Sequence, residues 1–389
     1  MRLRNVMASC LGLALLAGPA FAGPVMKFGP EDKGLLKLDY KGQLQLTVRD
    51  TGAEADGRGT TEEFNFRRNR LALMGAYGDK IGLYVQTEFG EDQNIGPLGV
   101  SDGDNSDFQI LDAVIRFKLH KNVNVWAGKF KYNLTRENLE ACEEPLTLDR
   151  SLLIRAPFVT TRDKGVAVWG DLAEGKFQYK FDVMNGRNDS VSAPESNLRY
   201  SARAHVSLLD PETGYGYKGT YLGKKKVLTI GAAYQMEEAV AYANSVAQSD
   251  AVDYQAWTAD LFFEYPVEQL GTATFSAAYV DYDLDDAYQG ASPEAGTIGL
   301  NGEKNGYYVK AGYLLPNLPL QIFARGESWS FANLDGVINQ EINWYGCGVN
   351  YFFNDQNLKL TLELSKTDFD QETVREDFTT LVTQLQLVF

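Results

Sequence analysis

Beyond residue 22 the chain has no apolar run of the ~18 residues that a membrane-crossing helix needs. It has no Cys-x-x-Cys-His haem motif and only two histidines, His120 and His205. An activated nucleophile needs a neighbouring base, and two isolated histidines offer little towards one. Cysteine is equally scarce, at positions 10, 142 and 347. Cys142 and Cys347 lie far apart and do not make a disulfide framework. No cofactor is expected. Proline is missing from the middle of every strand-like segment, as continuous ladder pairing requires. No linker, low-complexity tract or block of like charge interrupts the chain, which reads as one domain. The formal charge of −15 argues against nucleic acid as a partner.

The N-terminus sets the compartment. Arg2 and Arg4 precede an apolar stretch from Val6 to Leu16, and Ala20-Phe21-Ala22 is a small-x-small cleavage site. Residues 1–22 therefore read as a secretory signal peptide, which leaves 23–389 as the exported domain. Cys10 lies too early in the apolar stretch to serve as a lipoprotein anchor.

Alternation is the dominant pattern. Leu36, Leu38, Tyr40, Leu44, Leu46 and Val48 share one face of a strand; Lys37, Asp39, Lys41, Gln43, Gln45, Thr47 and Arg49 share the other. At the far end, Leu381, Thr383, Leu385, Leu387 and Phe389 oppose Thr380, Val382, Gln384, Gln386 and Val388, and the strand ends on the last residue. Sixteen such segments recur, at 35–50, 62–77, 80–90, 107–119, 122–131, 162–172, 175–185, 198–209, 225–235, 255–265, 271–283, 303–315, 319–331, 340–353, 356–367 and 377–389. Short links alternate with long ones, except for a long link at 210–224 where a short one is expected. The pattern predicts an all-β fold: a transmembrane antiparallel β-barrel of about 16 strands, with short periplasmic turns and longer external loops. A mean hydropathy of −0.28 beside an aromatic content of 12% suits a wall with one wet face. Aromatics near strand ends (Phe262, Phe263, Tyr265; Tyr307, Tyr308; Trp344, Tyr345, Tyr351, Phe352, Phe353) read as interfacial girdles.

Taking the apolar face of each strand as outward turns Lys37, Lys41, Arg49, Arg68, Arg70, Arg116, Lys118, Lys180, Arg199, Arg203, Lys310, Arg325 and Lys359 inward. Asp39, Glu88, Asp112, Asp182, Asp260, Glu264, Glu327 and Glu363 accompany them. The inward strand face thus carries more bases than acids in an acidic chain. The remaining acids fall mostly in loops, among them Asp102, Asp104, Asp107, Glu237, Glu238, Asp285 and Asp286, where divalent cations would bridge them to lipopolysaccharide. His205 turns inward beside Arg203, and Cys347 turns towards lipid.

Several segments resemble the phosphate-selective porin O/P family of Gram-negative bacteria. They are Phe66-Arg67-Arg68-Asn69-Arg70-Leu71, Asp112-Ala113-Val114-Ile115, Ala127-Gly128-Lys129-Phe130-Lys131, Asp149-Arg150-Ser151, Arg162-Asp163-Lys164-Gly165-Val166 and Asn185-Gly186. The resemblance implies a sixteen-stranded outer-membrane diffusion channel, a homotrimer, passing small inorganic or organic anions such as phosphate. It also implies that the third external loop, here 132–161, folds inward and narrows the pore. Arg136, Arg150, Arg155 and Arg162 stand in or beside that loop, with Lys129 and Lys131 leading in. Together with Arg68, Arg70, Arg116, Arg199 and Arg203 they are the candidate pore-lining, anion-binding residues, since Arg matches oxyanions with a planar fork of donors. Glu137, Glu140, Glu143, Glu144 and Asp149 share the loop. The arginines there either receive anions or are held in ion pairs that fix the loop. A barrel that sheathes or docks a partner protein is the alternative function.

Overall fold

The computed structural model describes residues 23–90, 94–95, 100–101, 108–152, 154–187, 193–244, 246–285, 287, 302–334, 337–372 and 376–389. The signal-peptide reading of 1–22 lies outside them, as do Asp102, Asp104, Asp107 and Asp286.

A short strand β1 (Val25–Phe28) leads into β2 (Gly34–Ala53), β3 (Gly59–Tyr77) and β4 (Ile81–Phe89). The two-residue β5 (Asn94–Ile95) and β6 (Val100–Ser101) pair only with each other. Then come β7 (Phe108–His120), β8 (Val123–Phe130), β9 (Asp163–Leu172), β10 (Phe177–Met184) and β11 (Arg199–Ser207). The second half holds β12 (Val227–Asn244), β13 (Ser249–Val267), β14 (Gly271–Asp283) and β15 (Lys304–Leu314). It ends with β16 (Leu320–Leu334), β17 (Val337–Asn354), β18 (Leu358–Phe369) and β19 (Phe378–Val388). Sixteen strands, β2–β4 and β7–β19, pair antiparallel with their neighbours into a closed barrel. Closure is made by β19 on β2, with Leu385 opposite Leu44. The terminal residue completes it: Phe389 N donates to Tyr40 O at 2.9 Å and Tyr40 N to Phe389 O at 2.8 Å. No sheet edge is left open in the ring, as a lipid-embedded backbone requires.

The faces follow the alternation. Leu38, Leu44, Leu71, Leu73, Phe181 and Trp257 are exposed on the outer wall, whereas Gln43, Gln45, Lys180, Thr258 and Asp260 are buried inside. Cys347 is exposed, on the outer face. The girdle expectation needs correction at four positions. Phe262, Tyr308, Trp344 and Phe352 point inward and are buried, while Phe263, Tyr265, Tyr307, Tyr345, Tyr351 and Phe353 remain on the outside. Adjacent residues in a strand cannot share a face, so each aromatic doublet is split between lipid and interior.

Two links are also shorter than expected. β12 and β13 continue to within four residues of each other, where a loop over 236–254 is read from the sequence, and β16 and β17 almost meet across 332–339. In β12 the register against β13 shifts between Glu237 and Ala241, so a bulge interrupts the alternation where the strand runs on, and β16 and β17 stay paired as far as Leu334 with Val337. One consequence is that Glu237 is not a loop acid: it is buried and paired with Arg199. Glu238 and Asp285 are exposed.

Candidate functional site

The segment between β8 and β9, residues 131–162, lies inside the barrel. It leaves the wall after Phe130 and re-enters it at Asp163; these two face each other in register, two residues beyond the facing pair Gly128 and Gly165. A Cβ on either would stand 2.0 or 2.1 Å from a neighbouring strand's carbonyl oxygen, on Ala113 or Val183. Thr135 caps its one helical turn, α1 (Arg136–Leu139), by accepting from Asn138 N at 3.0 Å.

Its polar groups are tied to strands around most of the ring. Arg68 of β3 and the adjacent Arg67 both reach Asp149, at 2.9 and 2.6 Å. Two consecutive side chains point inward because the β2–β3 register slips between Gln43 and Leu44, which leaves Arg67 as the extra residue of a bulge. Further round the ring Lys310 of β15 donates to Glu137 at 2.5 Å, Ser151 donates to Glu327 of β16 at 2.7 Å, and Leu148 N donates to Glu363 of β18 at 3.0 Å. Asn133 N donates to Asp182 of β10 at 2.6 Å, Arg199 to Pro157 O at 3.1 Å, and Arg203 to Leu134 O at 3.1 Å.

The long link 208–226 also turns into the barrel, from the opposite end. Tyr217 and Leu139 share a backbone hydrogen bond of 3.3 Å, Ala141 N donates to Tyr217 O at 3.0 Å, and Gly219 N donates to Glu144 O at 2.9 Å. A Cβ on Gly219 would lie 2.5 Å from Leu146 N, so only glycine lets the two backbones approach this closely. Arg136 forks onto Glu212 at 2.7 and 2.8 Å and lies over the rings of Phe262 and Tyr217, at 4.1 and 4.6 Å. Burial raises the Glu212 carboxyl, but Arg136 outweighs it and brings the group down to about 2.

The candidate cations therefore divide. Arg68 is paired with Asp149, Arg70 with Glu88, Arg136 with Glu212, Arg162 with Asp112 (3.2 Å), Arg199 with Glu237 (2.7 Å) and Arg203 with Asp260 (2.7 Å). Arg155 is buried and donates to Val159 O at 2.6 Å. Three have no carboxylate partner among the described residues. The Arg150 guanidinium donates to the carbonyls of Glu137 and Asn138, both at 3.3 Å, while its backbone N–H donates to Asp149 Oδ1 at 2.9 Å. Lys131 donates to Glu140 O at 2.5 Å. Arg116 lies between the rings of Tyr84 and Trp126. Lys129 needs correction: Trp126 and Phe130 face in, so Lys129 between them faces out, and its Nζ meets Ile110 O at 2.8 Å on the outer wall. The sequence reading placed neither Arg67 nor the 208–226 link in the site. The link's anomalous length is the one signal that marked it.

Loop chemistry beside Lys131 is unusual. Burial lowers the Lys131 ammonium to about 7. Burial, with Glu137 nearby, raises the Glu140 carboxyl to about 7 against the pull of Arg136. Burial raises the Cys142 thiol, but Arg150, Lys131, Arg68 and Arg70 together outweigh it and hold it well below the ordinary thiol range. Cys142 lines the cavity below the loop. A negatively charged methanethiosulfonate is therefore expected to modify Cys142 and lower the channel current, and Cys142→Ser to abolish the effect. Equal sensitivity in that variant would place the reaction at Cys347.

A sequence model of the family described as phosphate-selective porin O and P matches residues 38–389. An uncharacterised protein of Aquifex aeolicus (strain VF5) is 22% identical over 312 residues, covering 72% of this chain and 69% of that one. Among solved structures, the anion-selective porin from Comamonas acidovorans superposes with a TM-score of 0.56 at 10% identity, covering 92% of this chain and 100% of its own. The outer membrane channel DcaP of Acinetobacter baumannii gives 0.55 at 16% identity, with 94% and 100% covered. Salmonella typhi OmpF, in complex with daunomycin, gives 0.59 at 12%, again with 94% and 100% covered. At these identities the structural likeness speaks for the fold.

Proposed function

The chain belongs to the phosphate-selective porin O and P family and is an outer-membrane porin channel; from that premise we propose that it passes small anions by diffusion, oxyanions such as phosphate among them, and assembles as a homotrimer. The observation that carries the anion preference is the division of the inward cations. Most are neutralised by carboxylates of the wall strands or of the inward segments, while Arg116, Lys131 and Arg150 have no side-chain carboxylate partner among the described residues. In this reading segment 131–162 sets the narrowest part of the pore, braced from below by 208–226. A ring of such bases lowers the barrier for an anion where it sheds water. The outward acidic residues leave room for divalent cations and lipopolysaccharide at the external rim.

Reversal potentials under a KCl gradient, in a planar bilayer, test the preference. Their pH dependence has a fixed sign. Lys131 is charged below about 7 and neutral above it; Glu140 is neutral below about 7 and charged above it. Both steps make the interior more negative as pH rises, so anion preference is expected to fall between pH 6 and 8. Lys131→Met with Glu140→Gln should flatten the profile; an undiminished slope in that double variant would assign the titration elsewhere.

A further inference from the structure

Below segment 131–162 lies a cavity of about 670 Å³, open at the end of the barrel that carries the short turns; Gly78, Asp79 and Lys80 stand at its rim. Its volume is that of a site for a small organic molecule, and several times what one inorganic oxyanion occupies. Eight bases and four acids line it. Most of the inner bases are already engaged: Arg70 with Glu88, Lys41 with Glu143 and Arg162 with Asp112.

Arg116 is different. Its guanidinium lies 4.8 Å from the Tyr84 ring centre and 4.3 Å from that of Trp126. Trp126 is backed on its own account by Tyr215, stacked at 4.0 Å, and by Trp169 edge-on at 6.0 Å. The guanidinium thus lies over both rings, where a cation is attracted to aromatic π-clouds. Rings take none of its N–H donors in hydrogen bonds, which leaves them for another partner. No carboxylate pairs with it among the described residues, and its Nε is buried without an acceptor. A fork held in this way has little conformational freedom left to lose on binding a carboxylate. The wall around it is apolar, made by Phe130, Trp169 and Tyr215.

We propose that this cavity is a binding site for an organic carboxylate carrying a ring, with the carboxylate on the Arg116 fork and the ring against the aromatic wall. The proposal deepens the reading of the protein as an anion channel and rests on it. It places a selective site on the turn side of the inward segment, apart from Arg150.

The test is titration of current block by benzoate, acetate and inorganic phosphate in separate bilayers of the full-length mature protein. KCl reversal potentials are recorded in the same bilayers. Benzoate is expected to block at about tenfold lower concentration than acetate or phosphate, the scale of a ring's apolar burial. Arg116→Lys keeps the charge but loses the fork, and should weaken benzoate block about tenfold or more. Arg58→Ala, which removes one exposed charge in the link between β2 and β3, where Arg58 pairs with Glu376, should leave it unchanged. Equal block by phosphate and benzoate, or full block in Arg116→Lys, would overturn the proposal. Retained benzoate block alongside cation-selective KCl potentials would instead remove the general anion preference and leave the carboxylate site standing. Tryptophan fluorescence on benzoate addition gives a second readout that does not depend on conductance.

Discussion

Arg136→Ala is expected to release the inward segment, lower the barrel's unfolding temperature and raise single-channel conductance. The residue is fully buried, forks onto Glu212 and stands 3.5 Å from Glu140. Removing it leaves two carboxylates inside without their base. Stranding one partner of a buried pair costs about 3–5 kcal/mol, and here the cost falls on the contact between 131–144 and 212–221. Pairing the change with Glu212→Leu removes the stranded charge as well, and should recover a large part of the stability, because buried ion pairs are often replaceable by apolar groups of similar size. Conductance need not recover, since the bidentate link between the two inward segments is gone in both variants. Thermal unfolding and single-channel recording of the two proteins check both statements. Unchanged conductance in Arg136→Ala would mean that this link does not hold the narrow part of the path.

Arg150→Glu has the second large effect. Arg150 is buried, without a carboxylate partner, at a point where Arg68 and Asp149 are already matched to each other. Reversal changes the local charge by two units. At about 8 Å and an effective dielectric of about 20 this amounts to roughly 2 kcal/mol per unit charge as an upper bound. The ratio of chloride to potassium permeability should therefore fall about tenfold or more. Arg150→Gln should fall between wild type and Arg150→Glu. A reversal potential unmoved by either substitution would show that permeating ions do not pass this guanidinium.

Much of this was legible in the alternation. A strand buried against lipid on one side and water on the other displays its faces in every second residue, so Leu38, Leu44, Lys180, Arg203 and Asp260 all fall where the pattern puts them. The end of the chain was legible too, since Phe389 pairs with Tyr40 to close the ring. Failures occurred where alternation carries no information. In β12 a bulge between Glu237 and Ala241 breaks the alternation, so Glu237 was read as a loop acid. At Arg67 a bulge changes the phase by one residue. Lys129 was grouped with the loop by proximity in sequence, although its place in β8 turns it outward. The pairing of the candidate arginines was beyond reach for another reason. Arg136 finds Glu212 only once 131–162 and 208–226 have both folded in, and Arg199 finds Glu237 only once β11 and β12 pair in register; a linear pattern does not say which acid meets which base.

The most direct test of the anion reading is the reversal potential of the purified protein in a planar bilayer under a KCl gradient at pH 6, repeated with phosphate on one side. The expected result is a potential of the sign set by chloride, with phosphate reducing the chloride current. A potential of the sign set by potassium, with no effect of phosphate, would contradict it.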